Sequence, residues 1–287
     1  MNPTGFAIRL MAVQAVLFAA ETATIHQFGP RLSVMELALV RSIGGIALAV
    51  ALARYNRVAF LRARRPVLQL LRGTVSLLYL WVMIYSFANM PFADATAISY
   101  TQTTYIALFS VLILGEPVGP ARWAAAVLGI AGALLIAQPA FAGWNAVYLV
   151  AVIGTSLNGL SFVLNRYLQR EDSESTTLFY SNLVPLVGNL PALALASVPS
   201  GDTLACLPAL LFFGPIGMLA GLVAVRHASA AALGPYTLLR LVIGVFGGVI
   251  VFHELPDALS VLGATAVLGS CVLSSSRLLD LVRRCGT

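Results

Sequence analysis

The sequence predicts an all-α membrane protein of ten transmembrane helices, arranged as two inverted five-helix repeats with both termini on the cytoplasmic side. Three observations carry this expectation. First, 59% of the 287 residues are hydrophobic and only 10% are charged, whereas soluble domains carry roughly 25% charged residues. Second, one plan occurs twice: small residues, an apolar run, a glutamate, a turn and another apolar run. The two glutamates, Glu116 and Glu254, are 138 residues apart, close to half the chain, and a repeat of that size sets the architecture. Third, the arginines gather on one side of the apolar runs.

The runs are read in order as Phe6–Phe28, Val34–Ala53, Val67–Ala88, Phe92–Leu114, Arg122–Ala137, Ala146–Leu168, Thr176–Val198, Leu204–Val225, Ala228–Phe252 and Ala258–Ser274. Most are close to the roughly 20 residues that cross a bilayer. Helices satisfy their own backbone polar groups in lipid, and the ten-residue alternating segments of a membrane barrel do not occur. Arg9 and Leu10–Ala20 imitate a signal peptide, but Glu21-Thr22-Ala23-Thr24 is a poor cleavage site. Losing that run would also leave the first half one span short, so it is read as a span. Gln169–Thr177 is the longest polar stretch and is read as a solvated linker between the halves.

Orientation follows from arginine placement. Arg54, Arg57, Arg62, Arg64 and Arg65, with Arg72 just beyond, mark the second–third loop as cytoplasmic. Arg9, Arg122, Arg166, Arg170, Arg226, Arg277, Arg283 and Arg284 then fall on the same side, and Arg31 falls opposite. Five spans per half is an odd number, so the halves insert with opposite orientation. Glu116 faces the cytoplasm and Glu254 faces outward. Inverted repeats are common in alternating-access transporters, with the site near the midplane where the repeats meet.

The first copy reads ANMPFADATAISYTQTTYIALFSVLILGEPVGPARWAAAVLGIAGALLIA from Ala88 to Ala137, and the second runs from Arg226 to Leu273. The pattern resembles the EamA repeat of the drug/metabolite transporter superfamily, in which a run such as FADATAI leads through an apolar span to LILGEPVG. The second copy has Phe252-His253-Glu254 where that family favours Leu-Gly-Glu. The repeats are assigned to residues 1–142 and 143–287.

Ionisable groups within a span are costly and usually mark pathways or pairs. Glu21, Arg41 and Arg240 are expected to stand deep. Glu21 and Arg41 are each ten residues from Arg31, roughly 15 Å below the tip of the first hairpin at helical rise. They are expected either to form a structural ion pair or to place Glu21 in proton coupling. Arg240, in the ninth span, offers a planar fork suited to a carboxylate. The alternative is an arginine satisfied by backbone carbonyls or by Glu21. Gln102 aligns with Arg240 at the repeat offset. Tyr100, Gln102 and Tyr105 of the fourth span, Tyr79 of the third and Asn158 of the sixth are expected to wall a cavity. Asn182, Pro185, Asn189 and Pro191 predict a kinked seventh helix. Gly129, Gly132, Gly263 and Gly269 predict close packing of the fifth and tenth helices, within the chain or across a homodimer.

Composition excludes several classes. The net charge of +6 is spread over short loops and forms no nucleic-acid patch, so no nucleic-acid partner is expected. The three cysteines match no zinc site or disulfide framework. No phosphate-binding glycine loop is present, so neither a cofactor nor a metal is expected. His26, His227 and His253 fall at span ends with no serine motif, which argues against a membrane enzyme. A secondary transporter is expected, with a passive pore or sensor as the other class. Lysine is absent and arginine takes its place throughout, which points to a GC-rich bacterial genome; a multi-pass location in the bacterial inner membrane is expected. The resemblance implies a central cavity and is nearest in type to bacterial exporters of amino acids, aromatic ones included. A purine, an S-adenosyl compound or a cationic drug is the alternative substrate.

Overall fold

The computed structural model describes residues 3–57, 63–115, 120–137, 146–168, 171–195, 206–227, 243, 246–253 and 257–274. Regular structure among them is helical throughout: α1 (Pro3–Phe28), α2 (Val34–Asn56), α3 (Pro66–Asn89), α4 (Phe92–Ser99), α5 (Gln102–Leu114), α6 (Pro120–Ala137), α7 (Ala146–Leu168), α8 (Glu174–Gly188), α9 (Ala192–Leu195), α10 (Leu207–His227) and α11 (Ala258–Ser274). Residues 246–251 are also helical. Four of the described helices are long and apolar enough to cross a membrane: Gly5–Arg31, Val34–Asn56, Pro66–Asn89 and Ala146–Asn165. Shorter apolar helices lie at Trp123–Ile136, Leu207–Gly221 and Ala258–Ser270.

Local chemistry sets several boundaries. Gly29–Arg31 forms a 3₁₀ turn after α1. Ser33 then caps α2 in a reciprocal box, accepting from the Glu36 amide while Glu36 accepts from the Ser33 amide at 2.7 Å, which satisfies two otherwise orphan donors. Proline opens α3 and α6, where its missing N–H costs nothing.

The fourth span departs from its expectation of one continuous helix. It breaks between α4 and α5 at Tyr100 and Thr101, whose amides bond three residues back to Ala97 and Ile98 at 3.1 and 3.0 Å. The Ser99 and Thr101 hydroxyls also donate to the Thr96 and Ile98 carbonyls at 2.7 and 2.8 Å. Hydroxyls that bond backbone carbonyls compete with the regular ladder, and a tightened turn results. The seventh span breaks where the prolines predict, between α8 and α9. There the Asn189 amide donates to the Pro185 and Leu186 carbonyls.

Polarity is arranged inside out. Val127, Leu134, Leu262 and Phe212 stand more than half exposed, while Glu21, Gln69 and Arg72 are at most 1% exposed. Apolar surface of this extent points to contact with lipid, as expected of a multi-pass membrane protein.

The helices pack in matched pairs. α1 runs along α10 and α7 along α3; α2 packs on α10 and α8 on α3; α2 also meets α8, and α6 meets α11. The last pair crosses at Gly132 and Gly263. A Cβ on Gly132 would stand 2.7 Å from the Gly263 carbonyl oxygen, and one on Gly263 would stand 2.6 Å from that of Gly132. These two glycines therefore meet each other within one chain.

Candidate functional site

A narrow cleft lies between α3, the α4–α5 break and α7. Its polar lining is Tyr79 and Ser86 of α3, Ser99 and Gln102 at the break, and Thr155 and Asn158 of α7. The break positions these groups, because the tightened turn brings Ser99 and Gln102 to the same opening. The Asn158 amide donates to Gln102 Oε1, and the buried Thr155 hydroxyl donates to the Ala151 carbonyl at 2.8 Å. Phe87, Met83 and Ile98 supply apolar walls. The cleft has a volume of about 30 Å³, room for a water or two. A metabolite would require the helices to part.

Tyr79, Gln102 and Asn158 thus share one site. The other two tyrosines do not line it. Tyr100, 5% exposed, is buried in the main apolar core. Tyr105 is half-buried on the flank of α5, where Gly159 of α7 leaves room for its side chain. Arg240, Glu116 and Glu254 lie outside the described residues.

Glu21 and Arg41 meet between α1 and α2, with Arg41 Nε donating to Glu21 Oε1 at 2.5 Å. A third helix closes on the pair, since a Cβ on Gly214 of α10 would lie 2.1 Å from that carboxylate oxygen.

Both ends of the α3–α7 region are tied. At the end carrying the α1–α2 turn, His26 Nδ1 is 2.7 Å from the Phe87 carbonyl and must donate to it. The His26 ring lies 5.7 Å from Phe92 and 4.6 Å from Phe252, and the Phe92 ring lies 5.8 Å from Phe87 and 5.3 Å from Phe252. Beside this cluster, the Tyr148 hydroxyl donates to buried Asp94 at 2.8 Å. At the opposite end, Arg65 grips Glu171 with two bonds at 2.8 and 3.1 Å and also donates to the Tyr167 hydroxyl. Hydrogen bonding to Glu171 first, then to Tyr167, raises the Arg65 guanidinium above its ordinary pKa. Asp172 accepts from the Arg64 amide at 2.9 Å and from Gln69 Nε2 at 2.8 Å.

Several of these groups escape sequence reasoning. Asp94 stands at the start of the fourth span and is not among the ionisable groups expected to stand deep, yet it is buried. Arg72, counted by sequence with the cytoplasmic loop, is instead the largest side chain fully buried in the described structure. Its signal was spacing: Arg65, Gln69, Arg72, Ser76 and Tyr79 recur at helical intervals and share one face of α3. Gln169–Thr177 is more than a solvated linker, because Glu171 and Asp172 anchor it to α3.

The model of the EamA-like transporter family matches residues 5–138. The pseudopaline exporter CntI of Pseudomonas aeruginosa strain UCBPP-PA14 is 26% identical, over 93% of this chain and 95% of that protein. The S-adenosylmethionine uptake transporter of Rickettsia felis is 27% identical, over 84% of this chain and 82% of that protein. The riboflavin transporter of Rhizobium johnstonii is 31% identical, over 74% of this chain and 71% of that protein. These relatives are named for three different cargoes and are matched along most of their length. The protein belongs to the EamA-like transporter family and is a transporter rather than an enzyme.

Proposed function

We propose that the protein is a secondary exporter of amino acids, aromatic ones included, working by alternating access around the α3–α5–α7 cleft in a bacterial inner membrane. The observation that carries this reading is the cleft itself, a polar opening with aromatic flanks enclosed in an apolar helical shell. The Gln102–Asn158 bond and the Tyr79 ring give it groups for a polar head and a ring. Arg240 is assigned the substrate carboxylate, which its guanidinium suits better than a lysine would.

Alternating access rests on ten helices in two inverted repeats, 1–142 and 143–287, with both termini inside. The helix pairings support it. Exchanging each span with the span five later turns α1–α10 into α7–α3 and α2–α10 into α8–α3. The same exchange maps α2–α8 and α6–α11 onto themselves. Such partners are what a two-fold relation between halves would produce. In a homodimer, the outer faces of the fifth and tenth helices would form the contact, because Gly132 and Gly263 already face each other.

A second reading, transport of an S-adenosyl compound, is favoured by the Rickettsia relative. Counterflow in proteoliposomes separates the two. Vesicles preloaded with L-phenylalanine should accumulate labelled L-phenylalanine in wild type, less in Arg240→Lys and least in Arg240→Gln. The corresponding amide should compete poorly in wild type and lose nothing further in Arg240→Gln, a cycle that isolates the pairing. Saturable counterflow with S-adenosylmethionine and none with any amino acid would replace the first reading by the second. Flux that neither saturates nor shows counterflow would make the protein a pore.

A further inference from the structure

Five buried side-chain polar atoms lack a hydrogen-bond partner among the described residues, and four of them are carried by α3, α7 and α8. They are Arg72 Nε and Gln69 Oε1 on α3, Asn165 Oδ1 on α7 and Thr177 Oγ1 on α8. Arg72 Nη1 donates to the Thr177 carbonyl at 3.3 Å, which joins α3 to α8 at this height. The register of α7 follows from two contacts. Val82 lies against Gly154 and Arg65 against Glu171, seventeen residues apart on each side of the antiparallel pairing, a register that sets Asn165 at about the height of Arg72.

The chemistry of this cluster is specific. Arg72 is 1% exposed and, among the described side chains, no carboxylate lies within ion-pair distance of it. Burying a charge without a partner is expensive, and each unsatisfied polar neighbour adds to that cost. Asp172 fixes the orientation of Gln69. Its carboxylate takes the Nε2 donor, leaving Oε1 facing the interior as an acceptor. The Arg72 Nε–H and the Thr177 hydroxyl are therefore donors that an acceptor such as a carboxylate would satisfy. Gln69 Oε1 and Asn165 Oδ1 are acceptors that a donor such as an ammonium would satisfy. Two donors beside two acceptors complement a carboxylate and an ammonium held on one carbon.

We propose that Arg72, Gln69, Asn165 and Thr177 form a subsite for the zwitterionic head group of an amino acid. It would lie on the path between the cleft and the end of the bundle closed by Arg65 and Glu171. The α3 face carrying Arg65, Gln69, Arg72, Ser76 and Tyr79 is that path. This assignment deepens the amino acid reading above and rests on it. The subsite fills when α3 parts from α7, and the orphaned atoms favour that parting because any occupant satisfies them.

The test uses the full chain in proteoliposomes and in detergent. Thr177→Val is nearly isosteric and removes one orphan, so its thermal stability should equal or exceed wild type. Half-saturation for L-phenylalanine counterflow should nevertheless rise roughly tenfold, as expected for a lost bond to a charged group. Competition by L-phenylalaninamide, which has no carboxylate, should not change. Asn165→Leu should weaken L-phenylalanine but not 3-phenylpropionate, which has no ammonium. Arg72→Lys should retain partial affinity and Arg72→Gln should lose most of it. If Thr177→Val gains stability and leaves every half-saturation value unchanged, the cluster holds ordered water only and the proposal is wrong. Equal weakening of the acid and its amide also overturns it. Should wild type move no amino acid at all, the functional reading fails, and purified protein then decides this one separately. Thermal stabilisation by 3-phenylpropionate but not by 3-phenylpropionamide, abolished in Arg72→Gln, would retain a carboxylate subsite, and no stabilisation would remove it.

Discussion

Arg41 Nε donates to Glu21 Oε1 at 2.5 Å, and the carboxylate is pressed against the α10 backbone at Gly214. Three helices thus converge on one buried charge pair. Removing one member of such a pair strands the other, at a cost of about 3–5 kcal/mol, whereas removing both does not. We expect Glu21→Gln and Arg41→Gln each to lower folded yield, and the double variant to recover part of it, measured by fluorescence-detected size exclusion. Gly214→Ala should be nearly as damaging, since its methyl would occupy the carboxylate's space. A well-folded Glu21→Gln that has lost dependence on a proton gradient would instead assign Glu21 to coupling.

The Gln102–Asn158 contact ties α5 to α7 across the cleft. Leucine at either position leaves the other amide unsatisfied, at about 1–3 kcal/mol, while leucine at both is expected to be milder. Melting temperature in detergent should follow that order. Transport should not, because a doubly apolar cleft loses its polar contacts to the substrate. A double variant that transports as well as wild type would exclude the pair from the binding site.

The α6–α11 crossing predicts a packing effect with no functional component. Gly132→Ala and Gly263→Ala each place a methyl within 2.7 Å of the facing carbonyl oxygen, an overpacking that costs typically about 1–3 kcal/mol. Each should lower the melting temperature. The double variant should deviate from additivity because both methyls strain one contact. Single variants as stable as wild type would show that the helices separate there at no cost.

Topology can be read with impermeant maleimide on intact cells. Cys206 is unsuitable as a probe, because it is 1% exposed. In a cysteine-free background, Arg31→Cys should label from outside and Tyr55→Cys only after permeabilisation. Both side chains are well exposed. The reverse pattern would invert the orientation drawn from the arginines.

Much of this architecture is legible in the sequence because lipid leaves few choices. Apolar runs of span length in a chain with little charge must become helices, and Pro66, Pro120, Ser33 and the glycines punctuate them by local rules. Most of the described helices begin and end close to where the runs do. Gln102, Asn158 and Tyr79 could be nominated as cavity residues because a polar group in an apolar run needs a reason to be there. Tertiary structure decided the rest. Whether Tyr100 faces the cleft or the core depends on the turn at Thr101, which side-chain hydroxyls set by competing for backbone carbonyls. Arg72 reads as a loop charge until α7 and α8 close over it. Asp94 goes unremarked at the start of the fourth span until Tyr148 reaches it from a helix 54 residues away. Burial and partnership are properties of several helices together. A one-dimensional pattern fixes which residues share a face, but only packing fixes what that face meets.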